Sequence, residues 1–185
     1  MKNRLLNVVS LIVGLLISPL SVESIELVIG EERIEPGIVA IFEGAIKDHI
    51  HPKSLHLQEE LTEVHIEARV NWDKKNIPEG TPSGGFVPYL RITALVTNQK
   101  TGLRTFVDLL PHINLIDNFH YARNIALPGN PKELYSVEFN LIPPADVELA
   151  LHRDWAVSFG GSLFKAVEFK YTDVDFSEIA SASRR

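Results

Sequence analysis

From residue 37 onward, apolar and polar residues alternate in short runs divided by turn-forming residues, and no long run repeats at helical spacing. A period of two marks a strand with one buried and one wet face. The pattern predicts seven strands, over 37–46, 63–72, 88–97, 104–110, 121–127, 135–142 and 164–172. VHIEARVNW, residues 64–72, shows it most cleanly: Val64, Ile66, Ala68, Val70 and Trp72 share one side, and His65, Glu67, Arg69 and Asn71 the other. TNQKTG (97–102) reads as a hairpin turn, while IPEGTPSGG (77–85) and LPGNPKE (127–133) carry the Pro and Gly of loops. Short strands with frequent turns point to an all-β fold, an immunoglobulin-like β-sandwich of about seven or more antiparallel strands.

The two ends of the chain depart from this pattern. Lys2 and Arg4 precede an apolar run over 5–20 that is broken by Asn7, Ser10, Gly14 and Ser18–Pro19. The run is shorter than the roughly 20 apolar residues of a membrane span and leads into polar residues 21–24. Residues 1–24 therefore read as a secretory signal peptide cut near Ser24, with an uncleaved anchor as the alternative. The remainder, 25–175, is sized for one domain able to bury a core, and the small polar tail 176–185 reads as frayed.

Composition narrows the chemistry. The chain has no cysteine, so disulfides, a lipid anchor on an N-terminal Cys and thiolate metal sites are all excluded. Any metal must be held by His, carboxylate or other nitrogen and oxygen donors. The formal charge is −6, and losing Lys2, Arg4 and Glu23 (two positive, one negative) takes it to −7, which excludes nucleic acid as an ordinary partner.

Seven histidines stand at 49, 51, 56, 65, 112, 120 and 152. His65 and Glu67, two apart on one strand, leave the same face about 7 Å apart, a gap one ion can bridge; alternation alone favours solvent for both. His112 and His120 bracket a short loop at the end of an apolar strand. His49 and His51 share a strand face ahead of Pro52, where a solvated strand end is the ordinary reading. His152, after the Pro143–Pro144 break, says nothing by itself. Nucleophile-elbow, phosphate-loop, HExxH and dinucleotide motifs are all missing.

The order of the stretches says more than any one of them. HPKSLHLQEELTEVHIEARVNW, IPEG with FVPYLRI, DLLPHINLIDNFHYARNIAL, YSVEFNLIPP, HRDW and FKAVEFKYT together resemble the periplasmic iron-transport protein family, copper-binding partners of high-affinity Fe(II) uptake systems. The resemblance runs over 26–172. It implies a homodimer of immunoglobulin-like domains and a metal site at His65, Glu67, His112, His120 and His152, with His112 standing where the family carries Met. The loop between His112 and His120 is one residue longer than is usual in the family. Replacing a soft thioether by imidazole predicts a shift of preference from Cu(I) toward Cu(II). His49 and His51, where relatives carry Glu and Met, become a candidate second and weaker metal position.

The resemblance thus implies a periplasmic protein that binds Cu2+ and iron, accepts zinc in vitro, and delivers iron to an inner-membrane iron permease. It implies binding rather than turnover, with a redox role on iron left open. Two alternatives remain: a copper or zinc chaperone or storage protein unconnected to iron, and a zinc-dependent hydrolase using Glu67 as general base.

Overall fold

The computed structural model describes residues 26–183; the expected signal segment 1–24 lies outside them. Eight strands form: β1 (Glu26–Ile34), β2 (Ile38–Ala45), β3 (Val64–Trp72), β4 (Arg91–Asn98), β5 (Arg104–Asn114), β6 (Asn118–Ile125), β7 (Leu134–Ile142) and β8 (Val167–Asp175). All pairings are antiparallel, in the order β1-β2-β3-β6-β5-β4-β7-β8.

β5 turns this single sheet into two layers. Its first half pairs with β4, ending at Leu109 opposite Ile92, and its second half pairs with β6, starting at Leu110 opposite Ala122. The inner faces meet where Phe42 of β2 stacks on Phe139 of β7, ring centroids 4.1 Å apart, with both rings fully buried. Each such buried ring contributes about 1.5–3 kcal/mol relative to an exposed one. At the outer edges, Tyr171 of β8 lies so close to Gly30 of β1 that a Cβ on Gly30 would run into its ring. The Tyr171 hydroxyl donates to Glu32 at 3.0 Å, so the two edges nearly close on each other.

The all-β expectation holds, with four differences in detail. β1 was not foreseen, because Gly30 and the bulge between Val28 and Gly30 break its alternation. β5 continues through Pro111 to Asn114, so His112 lies within a strand. His49 and His51 lie in an irregular segment rather than at a strand end. The expectation of a frayed tail from 176 is corrected, because α2 (Ser177–Ser181) docks through Phe176 and Ile179, 0% and 1% exposed. Phe176 reaches the Tyr135 ring, centroids 5.5 Å apart, and that apolar burial orders the segment.

Candidate metal centre

The Val64–Trp72 alternation is real, but the face opposite the core is not wet throughout. Val64, Ile66, Ala68 and Val70 fill the core at 0% exposure, yet His65 and Glu67 on the other face are only 2% and 3% exposed. The cover is the segment between β2 and β3, which is tied down by Asn124 of β6. Asn124 Nδ2 donates to the carbonyls of Asp48 (2.8 Å) and Leu57 (3.0 Å).

Register sets the remaining geometry. His65 pairs with Asn124, Glu67 with Ala122, Ala122 with Leu110, and His112 with His120. Alternation puts His65, Ala122, His120 and His112 on one face, with the small Ala122 between the imidazoles. The β5–β6 hairpin closes through Asn114, whose Oδ1 accepts from the backbone N–H of Ile116 (2.9 Å) and Asp117 (2.6 Å), and through Asn118 at φ 63°. This tight turn holds His112 directly across from His120.

His65, His112 and His120 each place a ring nitrogen within 4.8 Å of the other two. Their rings lie 5.3 Å (His65–His112), 5.8 Å (His112–His120) and 6.3 Å (His65–His120) apart, centroid to centroid. Two of the three are oriented from behind. His65 Nδ1 sits 2.7 Å from Asn124 Oδ1, and His120 Nδ1 sits 3.1 Å from the Asn118 carbonyl. Both partners are acceptors, so each Nδ1 carries the proton and each Nε2 presents a lone pair toward the cluster. Neither ring nitrogen of His112 has a hydrogen-bond partner, although both are enclosed. Glu67 adjoins, its Oε1 3.5 Å from His65 Nε2.

The electrostatics suit a cation. Burial, with the neighbouring imidazoles His65, His56 and His120 adding to it, pushes His112 down to about 3, so it stays neutral with lone pairs available. Burial also lowers His120. Desolvation, reinforced by Asp117, Glu43 and Glu26, raises Glu67 to about 8, so at neutral pH it holds a proton that an arriving cation can displace. Arg69 opposes that rise only in part, since it is paired with Glu43.

Of the five expected ligands, then, the fold brings together His65, His112, His120 and Glu67. His152 stands apart, exposed at the N-terminus of α1 (Arg153–Phe159). Trp155, three residues on, packs against Trp72 (centroids 6.1 Å), the far end of β3. Seven residues of strand separate Trp72 from His65, about 23 Å. Sequence reasoning missed Asn124 and the approach of His56 to His112, with rings 5.0 Å apart. The HYARN stretch contains Asn124, but nothing in a strand asparagine marks it as a histidine's partner.

Comparisons with known proteins bear on the family and the fold. The 34 kDa membrane antigen of Treponema pallidum (strain Nichols) is 28% identical over 138 residues, 74% of this chain and 66% of the antigen, just under two thirds of that relative. A copper-bound variant of P19 from Campylobacter jejuni aligns with a TM-score of 0.67 at 27% identity, over 80% of this chain and 96% of that one. Copper-reconstituted P19 gives 0.65 at 26%, over 80% and 94%. FetP of uropathogenic Escherichia coli gives 0.65 at 23%, over 80% and 94%, a likeness of fold alone. Residues 23–178 match the family described as Fe2+ transport protein, and on that match, which covers most of the chain, the protein belongs to this family.

Proposed function

We propose that the chain is a periplasmic metal-binding protein of a high-affinity iron uptake system. It holds Cu(II) through His65, His112 and His120 with Glu67 beside them, binds iron as well, accepts zinc in vitro, and delivers iron to an inner-membrane iron permease. The observation that carries this reading is the convergence of three imidazoles, His65 and His120 buried and His112 half-buried, two of them with Nδ1 held by an acceptor so that Nε2 points inward. An all-imidazole set with an adjacent carboxylate suits Cu(II) and other borderline ions, and the oxygen donor suits iron. Copper, when bound, supplies a one-electron-active Lewis acid. The protein's own residues orient the donors, and Glu67 yields its proton to the incoming charge. Export through a signal peptide is supported by the family match starting at residue 23, where the apolar leader ends.

Homodimerisation belongs to the same reading. The hairpin tip beside the centre exposes Ile113 (64%), Leu115 (105%) and Ile116 (75%), and α1 beside His152 exposes Val157 (78%) and Phe159 (45%). Two-fold docking of one chain's hairpin on the other's α1 would cover both apolar surfaces twice. It would also bring His152 of the partner subunit toward the three imidazoles, a placement the single chain does not offer.

Deleting the gene tests the cellular role: growth on scarce iron should fail, whereas unimpaired growth with raised copper sensitivity would favour a copper chaperone instead. Comparing Cu(I) and Cu(II) affinities of wild type and His112→Met tests the donor argument. The variant should move preference toward Cu(I), and an unchanged ratio would refute it.

A further inference from the structure

The segment between β2 and β3, residues 46–63, covers the centre while burying almost nothing of itself. Of residues 46–61 none is buried, Leu55 and Leu61 are 58% and 62% exposed, and the turn over 51–55 stands wholly in solvent. A cavity of about 120 Å³, bordered by His49, Ile50, Lys53 and Leu57, is left within its turns. Its own hydrogen bonds are short-range: the Leu55 N–H donates to the Pro52 carbonyl, Leu61 N–H to Gln58 and Thr62 N–H to Glu59. Asn124 of β6 ties it to the sheet, its Nδ2 donating to the carbonyls of Asp48 and Leu57. A segment with few buried apolar contacts opens at a small part of the cost of unfolding the domain.

The same amide has a second hold. Asn124 Oδ1 sits 2.7 Å from His65 Nδ1, so one planar group links a centre imidazole to the cover, and the amide cannot turn without releasing both. From the cover, His56 stands edge-on to His112, ring centroids 5.0 Å apart. We infer that residues 46–63 are a lid over the metal centre, latched by Asn124 and raised for an ion to enter or leave, and that lid closure and ion binding favour each other. With the lid shut, His65 keeps its Nδ1–H on Asn124 Oδ1 and its Nε2 lone pair toward the centre. With the lid raised, the Asn124 amide is free to turn and His65 loses its orientation. Loaded at Nε2, His65 becomes a stronger Nδ1–H donor and fixes the amide with Nδ2 toward the lid carbonyls. Such coupling is reciprocal: whatever the closed lid adds to affinity, a filled centre adds to closure. At 2% and 3% exposure, His65 and Glu67 are out of reach while the lid is shut, so exchange of the ion waits on opening.

The inference rests on the metal-binding reading above, and paired measurements keep the two apart. Asn124→Asp retains an oxygen for His65 Nδ1 and loses both donors to the lid, so it lifts the latch without unseating the imidazole. Hydrogen exchange is followed by mass spectrometry on the metal-free, tag-free mature chain. Residues 46–62 should exchange faster than β3 and β6 in wild type, and about tenfold faster again in Asn124→Asp, the effect expected for losing two ordinary hydrogen bonds. One equivalent of Cu2+ should slow the same residues of wild type by about tenfold, an ordinary size for coupled sites. Release of Cu2+ into excess EDTA should reach a plateau as EDTA rises, because opening limits it, and Asn124→Asp should raise that plateau about tenfold. Exchange over 46–62 that is the same with and without Cu2+, a release rate that keeps climbing linearly with EDTA, or Asn124→Asp that exchanges like wild type overturns the lid. The wild-type measurements need no variant and decide even where Asn124→Asp fails to fold. Failure of wild type to take up Cu2+ overturns the metal-binding reading instead, and the metal-free comparison of the two proteins still decides the latch.

Discussion

The two halves of one strand face behave differently. At the start of β3, His65 and Glu67 are sealed beneath the β2–β3 segment and flanked by the β5–β6 hairpin. Farther along the same face, Arg69 and Asn71 are half-buried and tied to neighbours. Arg69 pairs with Glu43 and lies 3.8 Å from Asp117, and Asn71 Nδ2 donates to the Gly84 carbonyl at 3.1 Å. Both halves obey the same alternation. What separates them is the company each keeps: Arg69 and Asn71 are tied to carboxylates and a carbonyl, whereas His65 and Glu67 are sealed beside the imidazoles of His112 and His120, donors that an ion can join.

The largest expected effect tests the sealed half directly. His65→Ala or His120→Ala should lower Cu(II) affinity by more than about a hundredfold, beyond the 10–100-fold typical of losing an outer-shell partner. Competition against a chelator of known affinity measures it, and a loss below tenfold would remove either residue from the ligand set. Next comes Asn124→Ala, which strips His65 Nδ1 of its acceptor and loosens the cover. It should cost about 10–100-fold in affinity and about 1–3 kcal/mol in stability, because it also removes the hydrogen bonds to the carbonyls of Asp48 and Leu57. Denaturant unfolding alongside metal titration reads both, and retained affinity would mean that Asn124 only fastens the cover.

How far the sequence reveals this site follows from which features leave a local signal. Alternation assigns Val64 and Ile66 to the core and His65 and Glu67 to the opposite face, and the structure agrees. It cannot say what lies over that face, because the cover is an irregular segment held by one asparagine 67 and 76 residues from the carbonyls it binds. The alternation ends at Leu110 and puts His112 on a loop rim, but Pro is tolerated where its missing N–H is not needed, and the ladder runs on through Pro111 to Asn114. The residue order behind the family resemblance identified His112 and His120 where spacing alone did not. That order is equally silent on His56, which the fold brings to His112 through the cover segment.

A change of pH separates the halves without touching metal affinity. In the metal-free protein Glu67 titrates near 8 when folded against 4.5 ordinarily, so the folded state keeps a proton that the unfolded chain loses between those values. Stability from this group therefore falls as pH rises from 4.5 to 8, by up to about 1.4 kcal/mol per unit and a few kcal/mol in all. His112 acts in the opposite sense, losing stability as pH falls from 6.5 toward 3. Melting temperatures of metal-free wild type should drop between pH 6 and 8, and Glu67→Gln should flatten that drop. Parallel curves would show that the carboxyl is already ionised. The smallest effect belongs to the half that holds Arg69 and Asn71. Asn71→Ala should cost no more than about 1 kcal/mol, one ordinary hydrogen bond, and leave Cu(II) affinity unchanged. A large loss of metal there would erase the distinction between the halves.

Anomalous scattering at the copper edge, from crystals of the copper-loaded protein, tests the central claim most directly. A peak at bonding distance from Nε2 of both His65 and His120, with His112 in the same shell, is the predicted result. A fully loaded crystal with no copper within reach of those two nitrogens would contradict it.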